Sequence, residues 1–268
     1  MPKSFTKKIS QCIKKIYIEI KNDNYYLIFN LMKTMKQVFL NGTLLIIVGF
    51  LLFTGSCKKD DDTTSDTTPA PSTVTDIDGN VYHFVTIGTQ VWMVENLKVK
   101  KYRNGDQISN PTDDTQWAGS TTGAYSNYDN STTNADTYGR LYNWQAVNDS
   151  RKICPTGWHI PTDAEWATLT SYLGGESAAG GKMKETGTAH WLSPNTGATN
   201  EKGFTALPAG MRNSSGSFSN MFNHGYWWSS TESDATNAWS LNVNYNHAND
   251  YRNYEGKNTG FSVRCVKD

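Results

Sequence analysis

Four side chains that could do chemistry lie close together in the stretch CPTGWHIPTDAEWATLTSYLGG, residues 154–175. A cysteine near a histidine is the pattern of a nucleophilic thiol, because an imidazole can keep a thiol deprotonated. Two carboxylates a few residues later could act as general acid and base. The four are Cys154, His159, Asp163 and Glu165. The surrounding sequence must decide between a reactive site and scaffolding.

The two acids have a structural use, because they begin a helix. Thr162 followed three residues later by Glu165 is a capping box, and an acid at the first helical position suits the positive end of the helix dipole. Apolar residues then recur on one face, and a Gly-Gly pair provides the left-handed exit of a helix. The pattern predicts one capped helix near residues 163–173.

An export signal precedes the globular part of the chain. Two lysines come before the apolar run VFLNGTLLIIVGFLLF at 38–53, and small residues lead into Cys57. This layout is typical of a secretory signal peptide. It resembles a bacterial lipobox, with Thr54 where Leu is usual. We predict that residues 1–56 are an N-terminal extension and signal peptide and that Cys57 is acylated, with an uncleaved signal anchor as the alternative.

Residues 57–75 are predicted to be a disordered tether. Their sequence, CKKDDDTTSDTTPAPSTVT, is almost free of apolar residues and cannot bury enough surface to offset the entropy of ordering. The Lys-then-Asp run resembles the signal that sends lipoproteins of the Bacteroidetes to the outer face of the outer membrane, although it also fits a solvated charge run. The predicted location is the outer membrane, with a lipid anchor and exposure at the cell surface.

Residues 76–268 are predicted to form one domain, since all nine Trp lie there. Residues 1–56 hold eight Lys and two acids, which leaves 17 basic and 23 acidic residues in residues 57–268, a net charge of −6 for that part of the chain. An acidic chain of this kind is a poor partner for a polyanion. The charge therefore argues against nucleic acid binding.

Two of the four cysteines remain for the domain. Cys12 precedes the export signal and Cys57 is assigned to lipid, which leaves Cys154 and Cys265 in an oxidising compartment. Such a pair is expected to form a disulfide. The alternative is a nucleophilic Cys154 assisted by His159, which lies five residues along the chain.

The remaining sequence predicts antiparallel strands joined by long loops. Asp78-Gly79 is a hairpin turn signal and Gly88 marks a second turn. Near the C-terminus AWSLNVNY alternates apolar and polar residues, and GFSVRCV places Cys265 on an apolar face. The intervening polar segments are predicted to be long packed loops. They span residues 104–137, 176–203 and 212–224.

Six motifs carry a family resemblance. They are DxDGNxYxxVxIGxQxWMxENL, GRLYNWxAV, CPxGWHxPTxxEWxxLxxYLGG, GFxALPAGxR, YWWSST and GFSVRCVKD, in this order over residues 76–268. Together they resemble the Fibrobacter succinogenes major paralogous domain. The resemblance implies an α+β fold of the C-type lectin-like group, with long pinned loops, antiparallel strands and chain ends brought together.

The resemblance implies no particular activity for this chain. The calcium-dependent sugar site of true C-type lectins needs EPN or QPD and WND triplets, which the sequence lacks. The formylglycine-generating enzymes resemble distant relatives in the same fold group, and their activity needs a reactive cysteine pair. The two cysteines of this domain are better explained as a structural disulfide. Neither HExxH nor a Cys pair with zinc spacing occurs, so we predict no metal and no cofactor.

The favoured function is non-catalytic recognition or adhesion at the cell surface, with a polysaccharide or a surface protein as partner. The segment YNHANDYRNYEGKN at 245–258 mixes aromatic rings with planar amides, a composition that suits sugars. Turn and strand-edge chemistry would explain the same residues. The candidate ligand-binding residues are Tyr245, His247, Tyr251, Arg252 and Tyr254.

A carboxylate-dependent hydrolase is the alternative from another class. Glu232 and Asp234 lie in a loop between two strands and could act as a pair. No nucleophile elbow, phosphate loop or dinucleotide fingerprint accompanies them.

Overall fold

The computed structural model describes residues 73–268, an α+β domain with five α-helices. The predictions of an export signal, of acylation at Cys57 and of a tether up to residue 72 concern residues outside the described range. No helix within 73–268 is both long and apolar enough to cross a membrane. The helices are α1 (Asp114–Ala118), α2 (Thr132–Tyr138), α3 (Trp144–Val147), α4 (Asp163–Tyr172) and α5 (Glu176–Met183).

Twelve strands form four antiparallel sheets. The largest has the order β1-β2-β3-β12-β6, a second has β11-β10-β9, and β4-β5 and β7-β8 are two-stranded. The strands are β1 (Thr73–Thr75), β2 (Val81–Ile87), β3 (Gln90–Met93), β4 (Tyr125–Ser126), β5 (Leu141–Tyr142), β6 (Trp158–His159), β7 (Met211–Arg212), β8 (Phe218–Ser219), β9 (His224–Glu232), β10 (Asn237–Asn244), β11 (Asp250–Gly256) and β12 (Val266–Lys267).

The two predicted N-terminal turns are confirmed. Gly79 and Gly88 both have positive φ, a conformation that only glycine adopts without strain, and they join β1 to β2 and β2 to β3. β1 occupies Thr73–Thr75, three residues that the sequence assigned to the tether. These residues belong to the sheet because their backbone pairs with residues 81–83 of β2.

The predicted loops contain more regular structure than their composition indicates. Residues 104–137 hold α1 and most of α2, whose N-cap side chains are Asp113 and Ser131. Residues 176–203 begin with α5, and residues 212–224 include β8. The prediction of one helix was wrong, because short helices held by caps and tertiary contacts show no long apolar period.

The C-terminal segment lies between the two larger of three apolar cores, the first around Trp228 and the second around Trp166. Phe261, Val263 and Cys265 point into the first core, as the alternation predicts, and are fully buried. Arg264 points the other way, toward the second core, and is equally buried. Because both sides of this segment are covered, it is the central element of the domain.

Buried cations pin the long loops. The Arg264 guanidinium donates to the Phe204 carbonyl, to the Thr205 carbonyl at 3.4 Å and to Asn96 Oδ1 at 2.8 Å, and it stacks on the Phe204 ring at 4.2 Å. Burial lowers the pKa of Arg264, but an arginine stays protonated at neutral pH. One side chain therefore satisfies two adjacent backbone carbonyl groups of the loop at residues 204–205.

Lys184 and Arg212 act in the same way on two other loops. Lys184 Nζ donates to the carbonyls of Thr196, Asn244 and His247 at 2.7–2.9 Å. Burial lowers the pKa of Lys184 to about 8, so the amine is still mostly protonated at pH 7. The Arg212 guanidinium donates to the carbonyls of residues 111, 112 and 216. These contacts explain how so much irregular chain stays packed.

Candidate functional site

The stretch that begins at Cys154 is scaffolding. Cys154 and Cys265 form the predicted disulfide, and they lie 111 positions apart in the sequence. The capping box is also confirmed, since Thr162 Oγ1 accepts from the Glu165 backbone N–H and Glu165 Oε2 accepts from the Thr162 N–H. A pocket of about 300 Å³ lies beside Cys154 and His159. The Cys154 sulfur beside this pocket is part of the disulfide, so it cannot act as a nucleophile.

His159 joins the helix start to the chain end. Its Nδ1 lies 2.7 Å from Asp268 Oδ1 and its Nε2 lies 2.8 Å from Glu165 Oε1. Burial opposes protonation of the imidazole, but the hydrogen bonds that the ring donates to the Asp268 and Glu165 carboxylates outweigh it and raise the pKa of His159. The protonated ring is thus an ion-pair bridge between two carboxylates.

The His159 bridge predicts a pH effect on stability. A raised pKa in the folded state contributes stability that is fully present below the unfolded pKa and is lost as pH rises through the folded pKa. All three partners are partly exposed, so we expect roughly 0.2–1 kcal/mol. Urea unfolding of wild type and His159→Gln should differ most near pH 5.5 and converge above pH 8. A difference that grows with pH would contradict the bridge.

The acids considered for hydrolysis have other partners. Asp234 caps a turn, and hydrogen bonds from the Asn237 side chain and the Thr236 backbone lower the pKa of its carboxyl. Glu232 forms an ion pair with Lys257 Nζ. Asp163 lies 3.3 Å from the Arg252 guanidinium. Each carboxylate has a structural contact of its own.

The five predicted ligand residues do not line one surface. Strand alternation places Tyr251 and Tyr254 on opposite faces of β11, since their partners in β10 are Asn242 and Trp239. Arg252 shares the helix-facing side with Tyr254. Tyr245 packs against the second core, and the exposed His247 lies in the turn before β11 and gives its carbonyl to Lys184. Only Tyr251 faces the opposite side of this sheet.

That opposite side brings aromatic and amide groups together. Asn242 of β10 pairs with Tyr226 of β9 on one side and with Tyr251 of β11 on the other, which makes a row across three strands. Asn253 and Glu255 continue the same side along β11. We call these five residues the open face. Tyr226 and Asn242 are half-buried, whereas the other three are exposed.

The open face offers several groups that have no partner within residues 73–268. The side chains of Asn242 and Asn253 make no hydrogen bond there, and the Tyr251 ring, 39% exposed, stacks on no other ring. The Tyr226 ring is already stacked between His224 and Phe261 at 5.3 and 4.9 Å. The Tyr226 hydroxyl accepts from Asn220 Nδ2 at 3.0 Å and keeps its own O–H to donate, whereas Tyr251 offers a ring face.

A neighbouring polar cleft has a volume of about 430 Å³. We call it the Trp144 cleft. The Lys257 ammonium lies 4.8 Å from the Trp144 ring centroid, and Gln145 and Asn148 add amides. Its lining is Thr121, Thr122, Gly123, Trp144, Gln145, Asn148, Asp149, Arg151 and Lys257. This volume falls in the range of small-ligand sites.

Sequence reasoning missed Tyr226, Asn242 and the cleft. Tyr226 lies 25 positions before Tyr251 in the chain, and only strand pairing makes them neighbours. The spacing of Tyr251 and Tyr254 could have predicted that they lie on different faces, because residues three apart on a strand point to opposite sides. Within residues 73–268, no group of three or more His, Cys, Asp and Glu side chains is placed to bind a metal ion.

Comparison with known protein families identifies the domain. The profile of the Fibrobacter succinogenes major domain matches residues 85–267. The chain belongs to this family. The disulfide, the open face and the Trp144 cleft all lie within the matched Fibrobacter succinogenes major domain. No curated protein matches the chain, and no solved structure matches it.

Proposed function

We propose that this protein is a cell-surface recognition protein whose open face binds a glycan. The observation that carries the proposal is the row Tyr226, Asn242 and Tyr251, in which a free amide stands between two tyrosines. A ring face stacks on the C–H face of a sugar, and planar amides match its hydroxyls. The Asn242 amide and the Tyr251 ring have no partner within residues 73–268, so a sugar that binds them breaks no contact of theirs.

The proposed function is binding without catalysis. The four acids considered for hydrolysis are held in ion pairs, a helix cap and a turn, and the two cysteines of the domain form a disulfide. An alternative protein partner would use the exposed Leu192 and Phe222, which meet through a 3.0 Å backbone hydrogen bond. Scattered apolar side chains of this kind are normal on a monomer, so the glycan is the better-supported partner.

Attachment to the outer membrane through a lipid on Cys57 is part of the proposal. Its support is the apolar run at 38–53, the small residues before Cys57 and the Lys-then-Asp sequence after it. The sheet order supports a C-type lectin-like fold, because β12 at the chain end lies beside β3 of the N-terminal meander. The disulfide and the pinned loops are in keeping with that group.

Replacement of Tyr251 tests the proposed site. We expect Tyr251→Ala in the full-length chain to weaken glycan binding by about tenfold, because a stacking ring contributes roughly 1 kcal/mol or more. Tyr254→Ala is the matched control, since it removes an exposed tyrosine from the other face of the same strand. Binding is measured on a glycan array and then by calorimetry.

Two outcomes would overturn the proposal. One is wild-type protein that binds no glycan above background. The other is Tyr254→Ala that weakens binding as much as Tyr251→Ala, which would move the site to the helix-facing side of β11.

A further inference from the structure

The open face continues into the Trp144 cleft. Tyr251, Asn253 and Glu255 alternate along β11, and Lys257 follows at the same spacing one residue beyond the strand. Four alternate positions extend over about 20 Å at roughly 3.3 Å per residue. Lys257 is also a lining residue of the cleft. One side chain thus belongs to the end of the face and to the wall of the cleft.

A second contact ties the two surfaces together. Glu232 and Glu255 pair with Ala238 from its two sides, and Glu232 forms an ion pair with Lys257. Lys257 in turn lies over the Trp144 ring. The path from Tyr251 to Trp144 is therefore continuous.

The charges along this path select against a polyanion. The only cation within β9, β10 and β11 is Arg252, which faces the helices and Asp163. Lys257 is neutralised by Glu232, and Arg151 at the far wall of the cleft is held by Asp149 and Asp106. Glu255 adds a carboxylate with no ion-pair partner within residues 73–268. A ligand rich in carboxylate or sulfate would meet repulsion and no free cation.

We infer that the open face and the Trp144 cleft form one extended track that binds an uncharged polysaccharide chain. This rests on the proposed glycan-binding function and adds two properties to it, the length of the ligand and its lack of charge. Tyr251 supplies the stacking ring, and Asn242 and Asn253 supply amides. Asn148 continues the amides into the cleft beside Gln145, whose Nε2 donates to Asn258 Oδ1 at 3.0 Å and whose Oε1 has no partner within residues 73–268.

The test is a calorimetric comparison of chain lengths with the full-length protein. The probes are neutral cello-, xylo- and manno-oligosaccharides from disaccharide to octasaccharide, with oligogalacturonates of equal length as charged counterparts. Affinity for one neutral series should keep rising with length past the chain that spans the roughly 20 Å from Tyr251 to Lys257, because longer chains also fill the Trp144 cleft. Oligogalacturonates of every length should bind at least tenfold more weakly than their neutral counterparts.

Cleft variants separate this inference from the proposed function. Asn148→Ala and Gln145→Ala should each weaken the octasaccharide roughly fivefold, the effect of one hydrogen bond, and leave the disaccharide unchanged. Asn148 is exposed, so its variant stays folded even if Gln145→Ala does not. Equal affinity for disaccharide and octasaccharide, or no effect of Asn148→Ala, would overturn the extended track while the open-face site stands. Oligogalacturonates that bind as tightly as neutral chains would overturn the charge selection. No binding of any glycan would overturn both proposals.

Discussion

Loss of the disulfide is expected to lower the free energy of unfolding by roughly 4–5 kcal/mol. The bond closes a loop of 111 residues, and in the chain-entropy model such a loop greatly restricts the unfolded chain. It also lies at the meeting point of β6, β12 and the helix start. Urea unfolding of wild type and of Cys154→Ala combined with Cys265→Ala measures the difference, with the m-value as a check on two-state behaviour.

The reductant provides the control for this prediction. Dithiothreitol should destabilise the wild type to nearly the level of the double variant, and it should leave the double variant unchanged. A difference in the free energy of unfolding of under about 1 kcal/mol between wild type and variant would contradict this prediction, because it would show that packing holds β6 and β12 together without the disulfide.

Replacement of Arg264 by Met is expected to destabilise the domain by roughly 3 kcal/mol. Met keeps the apolar stem between the two cores, but the carbonyls of Phe204 and Thr205 lose their donor. A buried acceptor without a partner costs about 1–3 kcal/mol. The loss of guanidinium stacking on the Phe204 ring adds to this. Denaturant unfolding at neutral pH gives the value.

Lys202→Met is the matched control for Arg264→Met. Lys202 is exposed and makes no side-chain hydrogen bond or ion pair within residues 73–268, so its loss should change stability by under about 0.5 kcal/mol. Arg264→Met with an effect as small as that of Lys202→Met would contradict the role of buried cations in holding the loops.

The sequence predicted the parts of the fold that local chemistry controls. The turns at Gly79 and Gly88, the capping box at Thr162 and the Cys154–Cys265 bond each follow from residues near one another or from elimination. The buried cations could not be predicted, because Lys184, at the end of a short helix with little apolar content, looks like a solvated side chain. Its burial depends on carbonyls 12 to 63 residues away.

The candidate site was predicted only in part, for a related reason. Composition drew attention to residues 245–258, but strand pairing decides which of them share a face. In the observed register Tyr251 lies on the open face, whereas Arg252 and Tyr254 lie on the helix-facing side. Tyr226 and Asn242, from the two other strands, lie beside Tyr251 on the open face. Such partners are non-local and leave no signal in one segment of sequence.

The most direct test of the open-face site is a nuclear magnetic resonance titration of the full-length chain with the neutral hexasaccharide that binds most tightly on the array. The glycan-binding proposal predicts that the side-chain amide signals of Asn242 and Asn253 shift in a saturable way, while amide signals outside the open face and the Trp144 cleft do not shift. Saturable shifts confined to other parts of the domain, with Asn242 and Asn253 unmoved, would contradict it.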